Sequence, residues 1–256
     1  MTEFEREVET RLAGAAQNAD LRTAASGFME RSIEARYSYN WFWMGRPIIQ
    51  YPQDICALQE LVWKVRPDVI VETGIAHGGS LVLSASLLAM LDLCDATEAG
   101  TTLDPARPKR RVVGVDIDIR EHNRAAIEAH PMSKRITMIQ GSSVDPDIVA
   151  RVRQEIGDAG TVLVCLDSNH THDHVLRELE AYAPMVTVGS YCVVFDTVIE
   201  NLPSAMYSDR PWDVGDNAMT GMREFLSRNP GFEIDHAMDA KLQISVAPNG
   251  YLRRTR

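Results

Sequence analysis

Cysteine is scarce and unclustered: the 256 residues hold four, Cys56, Cys94, Cys165 and Cys192, with no Cys-x-x-Cys, which excludes a zinc ribbon or a dithiol redox motif. Two of them sit in apolar runs that read as strands, so reduced core thiols are predicted. Positive charge is also in deficit. With 26 Lys and Arg against 36 Asp and Glu, the formal charge of −10 repels nucleic acid and anionic membrane, and a basic cluster stands at Arg253, Arg254 and Arg256. A small-molecule partner is therefore expected, and neither nucleic acid nor membrane. No run of apolar residues approaches the ~18 of a membrane span, and the acidic start Met-Thr-Glu-Phe-Glu lacks an apolar signal region, which predicts a cytoplasmic location. Internal repeats and low-complexity linkers are absent as well.

What is there centres on Val69–Leu81, Val-Ile-Val-Glu-Thr-Gly-Ile-Ala-His-Gly-Gly-Ser-Leu. The β-branched run predicts a strand buried on both faces, with Glu72 at its end, and Gly74, Gly78 and Gly79 form a turn into a helix that Ser80 opens. Such a unit places free N–H groups at a helix N-terminus beside an open crevice, the nucleotide site of a doubly wound sheet. A dinucleotide fingerprint needs glycine where Ala76 stands, and a phosphate loop needs Gly-Lys-Ser or Gly-Lys-Thr; neither is present. An acidic strand end followed by Gly-x-x-x-Gly suits S-adenosylmethionine, whose ammonium Glu72 would attract.

Around this unit the chain reads as α/β: a doubly wound, seven-stranded, mostly parallel sheet of the Rossmann-like methyltransferase kind with an N-terminal helical extension. Residues 1–50 are assigned to a helical and aromatic extension and residues 51–256 to the cofactor-binding domain. Within the extension, residues 1–36 read as a helical lid or an oligomer contact, and a homo-oligomer is expected. Tyr37, Tyr39, Trp41, Phe42 and Trp43 form core, a pocket wall or a subunit interface. Asp54 is read as the cap of a helix ending before Pro67, and Asp95–Arg110 as a loop. The second strand, Arg111–Asp116, ends in a carboxylate suited to ribose hydroxyls, with Asp118 able to share the role. Further strands are predicted at Arg135–Gln140, Thr161–Leu166 and Ser190–Phe195, and a closing antiparallel pair at Phe232–His236 and Leu242–Val246. The stretch Asn201–Asn217, with two prolines and Trp212, reads as a lid or binding loop.

Glu72-Thr-Gly-Ile-Ala-His-Gly-Gly-Ser80, Gly114-Val-Asp116, Leu166-Asp-Ser-Asn-His170 and Val194-Phe-Asp196, with Gly45-Arg-Pro-Ile-Ile-Gln50 and Pro52-Gln-Asp54 upstream, resemble the family named for cephalosporin hydroxylase and rhamnosyl O-methyltransferase. That family is a branch of the S-adenosylmethionine-dependent methyltransferases, and the likeness covers roughly residues 37–256. It implies that Glu72, Gly74, Gly78 and Ser80, with Ala76 in the same loop, surround the methionine half of the cofactor, that Asp116 holds the ribose, and that Gly141 and Ser142 lie against the adenine. It also implies a magnesium ion on Asp167 and Asp196. Family members often carry a Glu-Asp pair on strand five; Phe195 replaces the Glu here, so a weak, substrate-assisted metal site is predicted.

Methyl transfer to a hydroxyl needs an aligned acceptor and a proton acceptor. His170, three residues after Asp167, is the expected base, and His172 and His174 are read as surface or supporting groups. A non-heme iron site usually draws on two His and a carboxylate with His-x-Asp spacing, and no His in this chain is followed two residues later by Asp or Glu. A cofactor-binding scaffold without turnover is the rival from another class. The expected acceptor is a sugar hydroxyl of a glycosylated natural product or polysaccharide, with a phenolic or polyketide hydroxyl as the alternative, and Trp41, Trp43 and Trp212 are candidates to stack on it.

Overall fold

The computed structural model describes residues 1–204, 206 and 208–256. Helices α1 (Glu3–Gln17) and α2 (Ala19–Glu34) lead into a hairpin, β1 (Trp41–Trp43) and β2 (Arg46–Ile48), and then α3 (Pro52–Val65). The sheet begins with β3 (Val69–Thr73), followed by α4 (Gly79–Ala99), β4 (Arg111–Asp116), α5 (Glu121–Glu128), β5 (Ile136–Gln140), α6 (Pro146–Ile156), β6 (Val162–Leu166), α7 (His172–Tyr182) and β7 (Tyr191–Val194). It ends with α8 (Ala218–Arg228), β8 (Phe232–Ile234), α9 (His236–Leu242) and β9 (Tyr251–Arg254). The seven strands lie in the order β5-β4-β3-β6-β7-β9-β8; the first five are parallel, and β9 runs antiparallel between β7 and β8.

Every residue of β3 and β6 is buried, as their continuous apolar runs require of central parallel strands. The two-residue alternation sends Ile70, Val112 and Leu163 toward α3, α4 and α9, and Val69, Val71, Val113 and Val164 toward α6, α7 and α8. Two apolar layers thus cover the sheet, the doubly wound arrangement predicted. α4 is 21 residues long and by length and composition alone could cross a membrane, but Ser84, Ser86 and Asp92 interrupt its apolar residues, and it packs, mostly buried, as the core helix behind β3 and β4.

Several local readings change. α4 continues through Asp95 to Ala99, so the loop begins later than predicted. Only Cys165 and Cys192 are core thiols; Cys56 is exposed and Cys94 half-buried, and all four are free. The aromatic stretch forms the hairpin, with Trp41 and Phe42 exposed and the Trp43 indole N–H donating to Ser86 Oγ on α4 at 3.0 Å. The strand expected at Leu242–Val246 is the end of α9 and a loop; the antiparallel partner of β8 is Tyr251–Arg254 instead.

Asp54 does not cap α3, whose N-cap is Tyr51. It is buried in the first turn, where Oδ1 accepts from Ser245 Oγ (2.6 Å) and Tyr251 Oη (3.0 Å) and Oδ2 from the Val246 N–H (3.0 Å), fastening α3 to the C-terminal segment. Burial outweighs these hydrogen bonds and pushes its carboxyl from 3.8 up to about 6. A raised carboxyl pKa favours the protonated native state, so this group's contribution to stability is fully present below pH ~4 and is lost as pH rises through ~6, by at most ~3 kcal/mol. Urea unfolding of wild type and Asp54→Asn should therefore show the wild type losing stability relative to the variant between pH 4 and 7; a pH-independent difference would contradict this.

Candidate active site

The C-terminal ends of β3, β6 and β7 open onto one crevice, because their parallel register brings these ends level. Backbone pairing continues one residue past the ladder: the Asp167 N–H donates to the Thr73 carbonyl (3.0 Å) and the Phe195 N–H to the Leu166 carbonyl (3.0 Å). Asp167 and Asp196 therefore emerge side by side. The crevice, about 360 Å³, is walled by Gly74, Ala76, Ser80, Asp167, His170 and Asp196 from the predicted set, and also by Gln50, Tyr39, Arg210 and Trp212.

The glycine loop is held by its neighbours. Gly74 has φ +90°, and a Cβ there would lie 1.9 Å from the Asp167 carbonyl oxygen, so only glycine lets the loop cross the end of β6. Gly78, also at positive φ, faces Ile127 of α5, whose Cδ1 would stand 2.4 Å from an added Cβ, so packing against that side chain constrains it. Asp116 Oδ2 accepts from the N–H groups of Ile75 (2.7 Å) and Ala76 (3.2 Å), and Oδ1 from that of Asp118 (3.0 Å). Asp116 thus ties the loop to β4 with the face expected to serve a ribose, while the Asp118 side chain is exposed. Asp116, Asp118, Gly141 and Ser142 lie outside the walls of the cavity. Glu72 is buried behind it, accepting from Ser84 Oγ and bonded to Ser80, and burial pushes its carboxyl up to about 6.

At the other side of the crevice, His170 Nε2 lies 2.9 Å from Asp196 Oδ2 and 4.0 Å from Asp167 Oδ1. The two carboxylates are 34 and 33% exposed and face the opening, while the imidazole is buried. Burial acts to lower the His170 pKa, but the charge and hydrogen bond of Asp196 and the charge of Asp167 overcome it and hold the imidazole protonated up to about 9. Burial and the Asp196 charge push the Asp167 carboxyl up to about 7. Among these carboxylates alone His170 is an imidazolium at neutral pH, not the neutral base the sequence suggested; it becomes an acceptor when their charge is taken up. One ligand atom from each of Asp167, His170 and Asp196 lies within 4.8 Å of the others, and the two carboxylates of the group suit a hard divalent cation. Phe195 packs in the core, as strand alternation predicts.

The segment Asn201–Asn217 does reach the crevice: Trp212 meets His170 edge to face at 4.8 Å and Arg210 stands over the Trp212 ring at 5.7 Å. Trp41 and Trp43 do not line the cavity; Tyr39 does. His172 bonds Thr220 and Glu224 of α8, and His174 bonds Ser143 and Ser168, so both support the site from outside. Arg210 carried no sequence signal of its own and Gln50 stood only at the end of the upstream Gly45–Gln50 motif, since their places in the site depend on where two loops return.

The profile of the family described as Rhamnosyl O-methyltransferase/CmcI matches residues 35–255. A rhamnosyl O-methyltransferase of Mycobacterium leprae (strain TN) is 26% identical over 83% of this chain and 82% of its own, and one of Mycobacterium bovis (strain BCG / Pasteur 1173P2) is 23% identical over 78% and 73%. Among solved structures, CmcI with Mg and SAM aligns at a TM-score of 0.55 with 18% identity over 85% of this chain and 78% of that one. MycE, from the mycinamycin biosynthetic pathway, in complex with Mg, SAH and mycinamycin VI, aligns at 0.52 with 15% identity over 89% and 54%. These structures share the sheet and its helical layers, and with the match across residues 35–255 they make the chain a member of the Rhamnosyl O-methyltransferase/CmcI family.

Proposed function

We propose that the protein is an S-adenosylmethionine-dependent O-methyltransferase acting on a sugar hydroxyl of a glycosylated natural product or polysaccharide. The observation that carries this reading is the convergence, in one crevice of a chain of this family, of the Gly74 loop with Asp167, His170 and Asp196. The curated relatives are rhamnosyl O-methyltransferases, and the MycE structure holds Mg, SAH and a mycinamycin. The cofactor supplies an electrophilic methyl group, and a magnesium ion supplies positive charge that acidifies an acceptor hydroxyl.

This chain's residues do the rest. Glu72 and Ser80, with the Gly74 and Ala76 backbone, would receive the methionine half, and Gly78 shapes that loop through Ile127. Asp116 would serve the ribose with the lone pairs its loop contacts leave free, or through Asp118, and Gly141 and Ser142 would border the adenine side. Asp167 and Asp196 would hold the cation, with the His170 imidazole beside them. His170 Nε2 is placed to take the acceptor proton once the carboxylate charge is neutralised, and Tyr39 and Trp212 supply apolar faces for a sugar ring. A homo-oligomer belongs to the same reading, supported by the exposure of Phe42 and Met44 on the hairpin and Met90 and Leu93 on α4; sedimentation velocity tests it.

Labelled S-adenosylmethionine, offered with rhamnosyl and other deoxysugar glycosides and with phenols, should label glycosides. Label confined to phenols would move the acceptor class, and SAH binding without any methylated product would favour the scaffold. Two carboxylates leave most of an octahedral shell to water and substrate, so activity should fall with EDTA, recover with excess Mg²⁺, and drop sharply in Asp167→Asn with the metal-free fold intact. Full activity after exhaustive chelation would show that the aspartates act by orienting His170 and the acceptor.

A further inference from the structure

Gln50 is only 4% exposed, and its Oε1 is buried with no hydrogen-bond partner. Leaving such an acceptor unmade costs ~1–3 kcal/mol, so the position calls for a donor that the folded chain does not provide. The side chain stands at a boundary. It lines the main crevice and also a small void of about 10 Å³ behind it, enclosed by Leu58, Glu72, Ser80, Cys165, Asp167 and Phe195.

That void has room for about one water-sized group. Its polar wall consists of acceptors: Glu72 already takes the hydroxyls of Ser84 and Ser80, and Asp167 adds a second carboxyl. Leu58, Cys165 and Phe195 close the other sides, which keeps bulk water out and strengthens charge interactions inside. A chamber of this size with acceptors from several directions matches an ammonium, which carries three donors and no acceptor.

We infer that Gln50 receives the α-ammonium of the cofactor's amino-acid end, its amide oxygen and the Glu72 carboxylate accepting from the same group across the void. This rests on the cofactor reading above. Gln50 is then a positioning residue: fixing the amino-acid end sets how far the sulfonium reaches toward Asp167 and His170. It also gives the Gly45–Gln50 stretch, which leads from the hairpin into α3, a role in the site.

The test compares two ligands by calorimetry on the full chain without metal: S-adenosylhomocysteine, and 5′-methylthioadenosine, which lacks the amino-acid end. Gln50→Met, close to isosteric and without an acceptor, should weaken S-adenosylhomocysteine about 10- to 100-fold and leave 5′-methylthioadenosine within about twofold, since a hydrogen bond to a charged group contributes ~1.5–3 kcal/mol. Gln50→Asn, which keeps the amide but withdraws it by a methylene, should shift the same ratio in the same direction, and unchanged 5′-methylthioadenosine binding reports an intact fold. Equal weakening of both ligands, or unchanged S-adenosylhomocysteine affinity, would overturn the assignment and leave Gln50 bonded to a water. Wild type that binds neither ligand would instead overturn the cofactor reading, and this inference with it.

Discussion

His170→Ala is expected to lower turnover by about 10²–10⁴-fold while leaving S-adenosylhomocysteine affinity nearly unchanged, the loss typical of a general base. The imidazole lies beside Asp167 and Asp196 on the crevice wall, so removing it touches the acceptor side of the reaction. Single-turnover methyl transfer across pH 6 to 9, with affinity measured separately, distinguishes the two effects. Near-wild-type turnover in the variant would reduce His170 to a packing partner of Trp212.

The second large effect is expected from Gly74→Ala. One methyl group there must displace the Asp167 carbonyl, which is backbone at the end of a buried strand and cannot rotate away, and φ +90° adds strain for any L side chain. Loss of S-adenosylhomocysteine binding by more than about 100-fold is expected, with a fall in thermal stability of several degrees for every ~1 kcal/mol of strain. Gly78→Ala should be milder, because the obstructing atoms are the flexible tip of Ile127. Equal tolerance at both positions would show that the loop is softer than its packing implies.

The sheet was legible because Val69–Val71, Val112–Val115 and Val162–Leu166 are runs that few environments other than a two-faced core accept. Asp167, His170 and Asp196 followed from their places at strand ends. The last strand was misread because Leu242-Gln-Ile-Ser-Val246 alternates like a strand, yet Gln243 turns the chain at φ +56° and Asp54 takes the Ser245 hydroxyl and the Val246 N–H from α3. That partnership spans most of the chain, so no local window contains it. The packing of Gly78 was out of reach for a similar reason: its neighbour Ile127 belongs to another helix, and a glycine read along the sequence does not reveal which atoms press on it. The ionisation of His170 depends on two carboxylates, one of them from a different strand, and was equally out of reach.

The place of β9 between β7 and β8 bears on how this protein is made. Synthesis proceeds from the N-terminus and domains tend to fold as they emerge, but β8 has no sheet neighbour other than the strand that follows it in the chain. Until Tyr251–Arg254 is released, β7 keeps an open edge and β8 cannot dock, and the hydroxyl that Tyr251 gives to Asp54 is missing as well. The nascent chain therefore carries an unpaired apolar edge, Tyr191–Val194, until Tyr251–Arg254 has emerged, which makes β9 the strand whose delay or loss would favour aggregation over folding.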